Sequence, residues 1–320
     1  MTEPRPDVVT FGETMLAMRA QSPGPLQLND RLRLSCAGAE STVAIGLARL
    51  GHRAVWVGRT GDDEAGELVR STLRGAGVEV CGLVDPARPT GLLLRSARTA
   101  VLSRVYYYRR GSAGAGLAID DLKEPLARQP RVLHTTGITP ALGPEARAAT
   151  LDAVALARDA GATISYDVNF RSRLTTTAEA AAVLEAVLAD VDILFCGADE
   201  LGVLGAALGI PDAGADDGIA AALDAELIIK RGRHGAIARS GPDTAAVDAL
   251  EVPAVDVVGA GDAFVAGYLS GWLDGLPLRQ RLRRAAVLGA FCVAAHGDWE
   301  GLPTRSELGL LDESPDYTDR

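Results

Sequence analysis

The chain is poor in lysine. Of its 32 basic residues only Lys123 and Lys230 are lysines, the other 30 being arginines, and neither lysine follows a glycine. A Gly-Lys-Ser/Thr phosphate loop is therefore absent, and any nucleotide site must be built by other means. Long apolar runs are missing too. The longest, residues 263–273 and 285–295, fall well short of the roughly 20 residues that span a bilayer, and the first twenty residues hold no stretch of secretory character. The four cysteines (Cys36, Cys81, Cys196, Cys292) contain no C-x-x-C pair, and the four histidines no H-E-x-x-H. Buried free thiols in a reducing cytoplasm are favoured over zinc or disulfides. Positive charge is in deficit, 32 basic against 42 acidic residues for a net −10. That argues against nucleic acid or an acidic membrane as a partner, since both need basic surface.

What is present is a 320-residue chain with 48% hydrophobic residues, long enough to bury a substantial core. Short β-branched runs at 8–12, 54–58, 132–137, 163–167, 193–196 and 227–230 alternate with helical stretches at 40–50, 64–75, 144–160, 178–189 and 215–223. Two more helical stretches, 262–274 and 278–295, close the chain. Such alternation predicts an α/β fold, a doubly wound and mostly parallel sheet with helices on both faces. Pro144 suits the first turn of its helix and Gly161 the stop. Residues 13–36 and 88–112 break the alternation with β-type patches and no helix. They are expected to form a small accessory sheet on a single unit spanning 1–320, two long surface loops being the other reading. The acidic, polar tail 312–320 is expected to fray.

The chemistry concentrates in Val255-Asp256-Val257-Val258-Gly259-Ala260-Gly261-Asp262-Ala263-Phe264. Small residues lead directly into an apolar helix, whose first N–H groups are unpaired and whose dipole places partial positive charge there. That is an anion site, and Asp262 in the first turn is placed to accept a proton from an attacking hydroxyl. The alternative is a glycine turn in which Asp262 merely serves the helix start. A dinucleotide G-x-G-x-x-G is excluded, because Phe264 stands at the third glycine.

Three further segments accompany it: Ala37-Gly38-Ala39-Glu40 with its helix to Gly51, Gly58-Arg59-Thr60-Gly61-Asp62, and Lys230-Arg231-Gly232-Arg233-His234-Gly235. Together with Gly259–Asp262 and Gly267 they resemble the ribokinase-like (PfkB-type) carbohydrate kinases over nearly the whole chain. The resemblance implies that family's fold, with the small sheet as a lid, and transfer of the ATP γ-phosphate to a sugar hydroxyl. It implies Asp262 as base, with Gly259, Ala260 and Gly261 as the anion hole. Asn169, Lys230, Gly232 and Gly235 are placed on the nucleotide side, with Gly259 and Gly261. Mg²⁺ is expected with ATP, held mostly by phosphates and water. Glu200 in Gly197-Ala198-Asp199-Glu200 is either an outer metal ligand or a solvated helix-start glutamate, Gly197 replacing the family's Asn.

On the sugar side, Tyr107 and Arg109 alternate onto one strand face, and Arg171 follows Asp167-Val168-Asn169-Phe170 at a strand end. Two guanidinium groups suit a substrate carboxylate and would be left unmatched by a neutral hexose. Tyr106 and Tyr108 are expected to pack on the core or on a partner's lid. With Gly137-Ile138-Thr139-Pro140, this resembles the branch of the family that phosphorylates the 6-hydroxyl of 2-keto-3-deoxygluconate. By the same resemblance Gly38, Tyr107, Arg109, Arg171 and Asp298 contact the substrate, and Asn169 and Arg171 border the phosphates. Ala37, Thr42 and Leu93 depart from the family pattern. A neutral-sugar kinase and a catalytically silent sugar or nucleotide sensor stay open. Lid strands are edges in need of cover, so a homo-oligomer is expected.

Overall fold

A computed structural model describes residues 4–28, 31–99, 103–210 and 216–312. The expected tail from 313, strand positions 101–102 and helix position 215 lie outside them. The chain opens with strands β1 (Val8–Phe11), β2 (Met15–Ala20) and β3 (Leu32–Ala37), then helix α1 (Ala39–Arg49). Next come β4 (Ala54–Gly61), α2 (Glu64–Gly75), β5 (Glu79–Asp85), β6 (Leu92–Ala97) and β7 (Ser103–Tyr108). The middle alternates: α3 (Asp120–Ala127), β8 (Val132–Thr136), α4 (Pro144–Asp159), β9 (Thr163–Asp167), α5 (Thr177–Leu188) and β10 (Ile193–Gly197). After α6 (Leu201–Ala207) and α7 (Asp216–Ala221) follow β11 (Glu226–Lys230), β12 (Ala236–Ser240) and β13 (Asp243–Val247). The helices α8 (Ala260–Leu273) and α9 (Leu278–Val293) complete the fold.

Nine strands form one sheet in the order β13-β12-β11-β10-β9-β8-β1-β4-β5. It is parallel from β11 to β5, with β12 and β13 added antiparallel at one edge. Strand alternation divides its side chains between two cores. Val8, Trp56, Val132, Phe195 and Ile228 face α1, α2, α8 and α9. Val9, Val55, Leu133, Leu194 and Ile229 face α3 to α7. Period-two burial on both faces is the signature of a parallel sheet covered by helices, as the sequence pattern predicts. Pro144 opens α4, and Gly161 follows its end at φ 76°.

The second sheet has four strands, β3-β2-β6-β7, from the two stretches that broke the alternation. Its outer strands leave Leu34, Tyr106 and Tyr108 exposed. Tyr106 and Tyr108 do not pack on the core of this chain, correcting half of what alternation suggested for them. Five elements escape the sequence pattern, each for a local reason. Edge strand β5 is half-exposed, and α3 carries Pro125 inside it. Helix α6 has two glycines, and β12 and β13 form an alanine-rich hairpin with few β-branched residues.

Helix α8 starts two residues earlier than its polarity suggests and is packed between α1 and α9. Gly46 of α1 meets Ala266 so closely that a methyl group on Gly46 would lie 2.6 Å from its Cβ. A methyl on Gly267 would lie 2.7 Å from both Ala285 Cα and Arg284 O in α9. Backbone cannot yield as a side chain does, so Gly267→Val should cost about 1–3 kcal/mol. Urea unfolding should show a lower midpoint at unchanged slope.

Candidate active site

A cleft of about 1250 Å³ opens between the small sheet and the C-terminal edge of the large one, where open α/β sheets bind ligands. Its walls include Gly38 from the start of α1, Leu93 of β6, Tyr106, Tyr107 and Tyr108 of β7, and Arg109 just beyond. Arg171 and Arg173 follow β9, and Gly259, Asp262 and Asp298 close the floor.

Gly259 caps α8 at φ 77°, a left-handed conformation that glycine adopts without penalty. Its missing side chain matters equally, since a Cβ there would lie 2.4 Å from the Asp298 carbonyl oxygen. The Ala260 N–H points to Val257 O at 3.4 Å, and the Ala263 N–H returns to Gly259 O at 2.8 Å. The N–H groups of Gly261 and Asp262 find no acceptor among the described residues. The N–H of Gly259 likewise finds no acceptor among the described residues, so two of the three expected positions, 259 and 261, keep open donors beside Asp262.

Asp262 is half-buried and receives the Asn169 amide, Nδ2 to Oδ1 at 3.1 Å. Burial and then the nearby Asp167 push its pKa up to about 6, against the pull of Lys230, Arg171 and Asn169. Asn169 itself is buried at φ 39°. That strained corner is held by Glu200, whose two oxygens accept the Phe170 and Gly197 N–H groups, both at 2.7 Å. Glu200 is therefore not a solvated helix-start residue. Burial, then Asp167, raises its pKa above the usual carboxylate value.

Lys230, at the end of β11, donates to both oxygens of Asp167 at 2.8 and 2.6 Å. Its Nζ lies 3.7 Å from where a Gly261 Cβ would stand. Burial opposes the ammonium charge, yet Asp167 and Glu200 outweigh it and hold the pKa above the ordinary value. Gly232 and Gly235 form the following turn at φ 54° and 77°. They lie outside the lining of the cleft, and a Cβ on Gly235 would strike Val247 O.

At the small-sheet side of the cleft Arg109 does not carry an unmatched charge. Its Nε and Nη2 lie 2.6 and 2.5 Å from Glu13 Oε2, and Ser112 donates to the other Glu13 oxygen. The guanidinium also lies 5.7 Å from the Tyr107 ring centroid, so the two share a face as alternation predicts. Arg171 differs. It donates to Phe170 O at 3.0 Å, and no carboxylate pairs with it among the described residues. Gly38 is extended and is needed for close approach, because a Cβ would lie 2.6 Å from Glu13 O. Thr42 is fully buried and does not line the cleft.

The whole arrangement from Arg5 to Arg305 matches the model of the pfkB family carbohydrate kinases. The chain belongs to that family. Among curated relatives, a 2-dehydro-3-deoxygluconokinase of Bacillus subtilis is 36% identical, with 94% of each chain covered. A 2-dehydro-3-deoxygalactonokinase of Haloferax volcanii is 32% identical, covering 91% of this chain and 92% of its own. Among solved structures, the 2-dehydro-3-deoxygluconokinase of Thermotoga maritima superposes with a TM-score of 0.85 at 26% identity, covering 95% and 97%.

Several residues of this kinase's site carried no signal in the sequence. Asp167 reads as a strand end and Glu13 only as the first residue of the expected small-sheet segment, although each neutralises a cation at the site. Glu40 lies within a quoted segment, but only the structure shows it buried with both Thr136 and Thr139 hydroxyls on Oε1 at 2.8 Å. Burial raises its pKa to about 7. The Asp167–Lys230 pair is sensitive to mutation, since the Asp167 side chain is only 1% exposed. Lys230→Met should cost about 3–5 kcal/mol by stranding that carboxylate. Adding Asp167→Asn should recover part of the loss, so the double variant unfolds later than the two single effects predict.

Proposed function

We propose that this kinase phosphorylates a small sugar acid, 2-keto-3-deoxygluconate, at its 6-hydroxyl with ATP as donor. The charge of the cleft carries the reading. Arg104, Arg109, Arg110, Arg171 and Arg173 line it against Glu13, Glu40, Asp262 and Asp298. Burial raises three of those four carboxyls, Asp262 to about 6 and Glu40 and Asp298 to about 7. The lining is therefore positive near neutral pH, and Arg171 offers an unpaired fork to a carboxylate. The names of the relatives support the same substrate class.

In the proposed reaction Asp262 takes the proton of the substrate hydroxyl. That oxygen forms a bond to the γ-phosphorus as the bond to the leaving ADP oxygen breaks. The open N–H groups at the start of α8 stabilise charge on the transferring phosphoryl group. Asn169 orients Asp262, and Lys230 with the Gly232–Gly235 turn borders the nucleotide. Mg²⁺, when bound, neutralises phosphate charge. The donor set fits a metal held by phosphates and water, because Asp167 is paired with Lys230 and both Glu200 oxygens accept backbone N–H groups. Glu200 then stands as an outer-shell residue at most. The free thiols support work in the reducing cytoplasm.

A neutral-sugar kinase is the second reading, favoured by the Arg109–Glu13 pair, which leaves Arg171 as the unmatched member of the two expected substrate arginines. Initial rates of ADP formation with 2-keto-3-deoxygluconate, its galactonate epimer, fructose and ribose separate the two. The sugar acids should be favoured at least about tenfold in kcat/KM, and a preference for fructose or ribose would sink the proposal. Arg171→Ala should raise the sugar-acid KM by roughly 10- to 100-fold, the loss of a charged hydrogen bond of about 1.5–3 kcal/mol. Its effect on fructose should be small.

The pH profile tests the base. Asp262 works ionised, and its raised pKa means activity is lost as pH falls through about 6, well above the ordinary carboxylate range. Asp262→Asn should lower kcat by about 10²- to 10⁴-fold with ATP affinity retained. An inactive wild type across the sugar panel would instead favour a sensor.

A further inference from the structure

The segment before α8 is tied to the small sheet by a residue that plays no part in the reaction described above. Arg95 lies on β6, and its guanidinium pairs with Oδ2 of Asp256. The Arg95 side chain is 14% exposed and that of Asp256 only 1%. The same carboxylate accepts the Val258 N–H at 3.0 Å on Oδ1 and the Gly297 N–H at 3.2 Å on Oδ2. One buried carboxylate thus joins three segments: the small sheet, the turn that leads into Gly259, and the loop that bears Asp298. Gly259 in turn is pressed against the Asp298 backbone, so displacing either segment moves the other.

The placement of Arg95 is not explained by the small sheet itself. Its register neighbour on β2 is Arg19, and like charges side by side on adjacent strands weaken a sheet. The small sheet also has other anchors to the 297–300 loop. Ser35 donates to Glu300 at 2.8 Å, and the Trp299 indole donates to Cys36 O at 3.2 Å. Removing Arg95 leaves these in place.

We propose that Arg95 is a positioning residue for phosphoryl transfer: through Asp256 it sets the backbone of the Val257–Gly261 turn, so that the open N–H groups at the start of α8 are aimed by the small sheet. This rests on the assignment of that turn to phosphoryl transfer. Burial pushes the Asp256 carboxyl up, but the Arg95 hydrogen bond and the two N–H groups outweigh it and hold it below the usual range. Without the guanidinium a buried carboxylate is left with backbone donors alone, and the turn must shift toward water or another cation.

The experiment is a double-mutant cycle on the full chain with Arg95→Gln and Asp256→Asn, read as kcat and as KM for each substrate. Each single variant should lower kcat by about 10- to 100-fold, with the sugar KM changed less than about threefold. The double variant should be no slower than the worse single one. Arg95→Lys should recover most of the rate, and guanidinium ion should partly restore Arg95→Gly, neither of which a merely structural loss would allow. Unchanged kcat in Arg95→Gln, multiplicative losses in the double variant, or a defect confined to the sugar KM would each overturn the proposal. Should Arg95→Gln fail to fold, the Arg95→Lys rate and guanidinium rescue of Arg95→Gly decide, and failure of both overturns it. Asp262→Asn separates the two claims: full activity in that variant refutes the base assignment whatever Arg95 does.

Discussion

Everything at the floor of the cleft depends on one steric contact, the bare Cα of Gly259 against the backbone of Asp298. Because nothing projects from Gly259, helix α8 can begin in the gap between the 297–300 loop and the ends of β9 and β11. Its first N–H groups then face the cleft instead of the protein. The left-handed φ of 77° turns the chain into the helix within one residue. A side chain would strike the loop and demand a strained conformation at once.

Electrostatics around that contact are arranged in two grades. Some charges in and around the cleft are matched closely: Lys230 with Asp167, Arg95 with Asp256, Arg109 with Glu13. The carboxyls nearest the open space are desolvated without a dedicated cation, which raises Asp262, Asp298 and Glu40 into the range of about 6 to 7. Paired groups hold geometry, and under-compensated ones are free to exchange a proton near neutral pH.

The large sheet was legible in the sequence because both of its faces are buried. Strands such as Ile193–Gly197 and helices such as Glu64–Gly75 announce themselves through uninterrupted apolar or amphipathic runs. The hairpin β12–β13 and helix α3 were not, since alanine-rich edge strands and a proline inside a helix blur the period. In the cleft, glycines and Asp262 could be read because local backbone chemistry demands them. Glu13, Asp167 and Asp256 could not, because each acts through a partner far along the chain: Arg109, Lys230 and Arg95. Arg109 shows the same limit from the other side, its charge being legible and its neutralisation not.

The four strands of the small sheet enter the chain as two excursions, after β1 and after β5, while α8 and α9 belong to its last quarter. The wall that carries Leu93, Tyr107 and Arg109 is thus encoded apart from the floor that carries Gly259 and Asp262. Changes of shape in the wall that spare Arg95 leave the densely packed α1–α8–α9 layer untouched. The two parts can diverge at different rates, and the buried carboxylate of Asp256 marks the seam at which they must still agree.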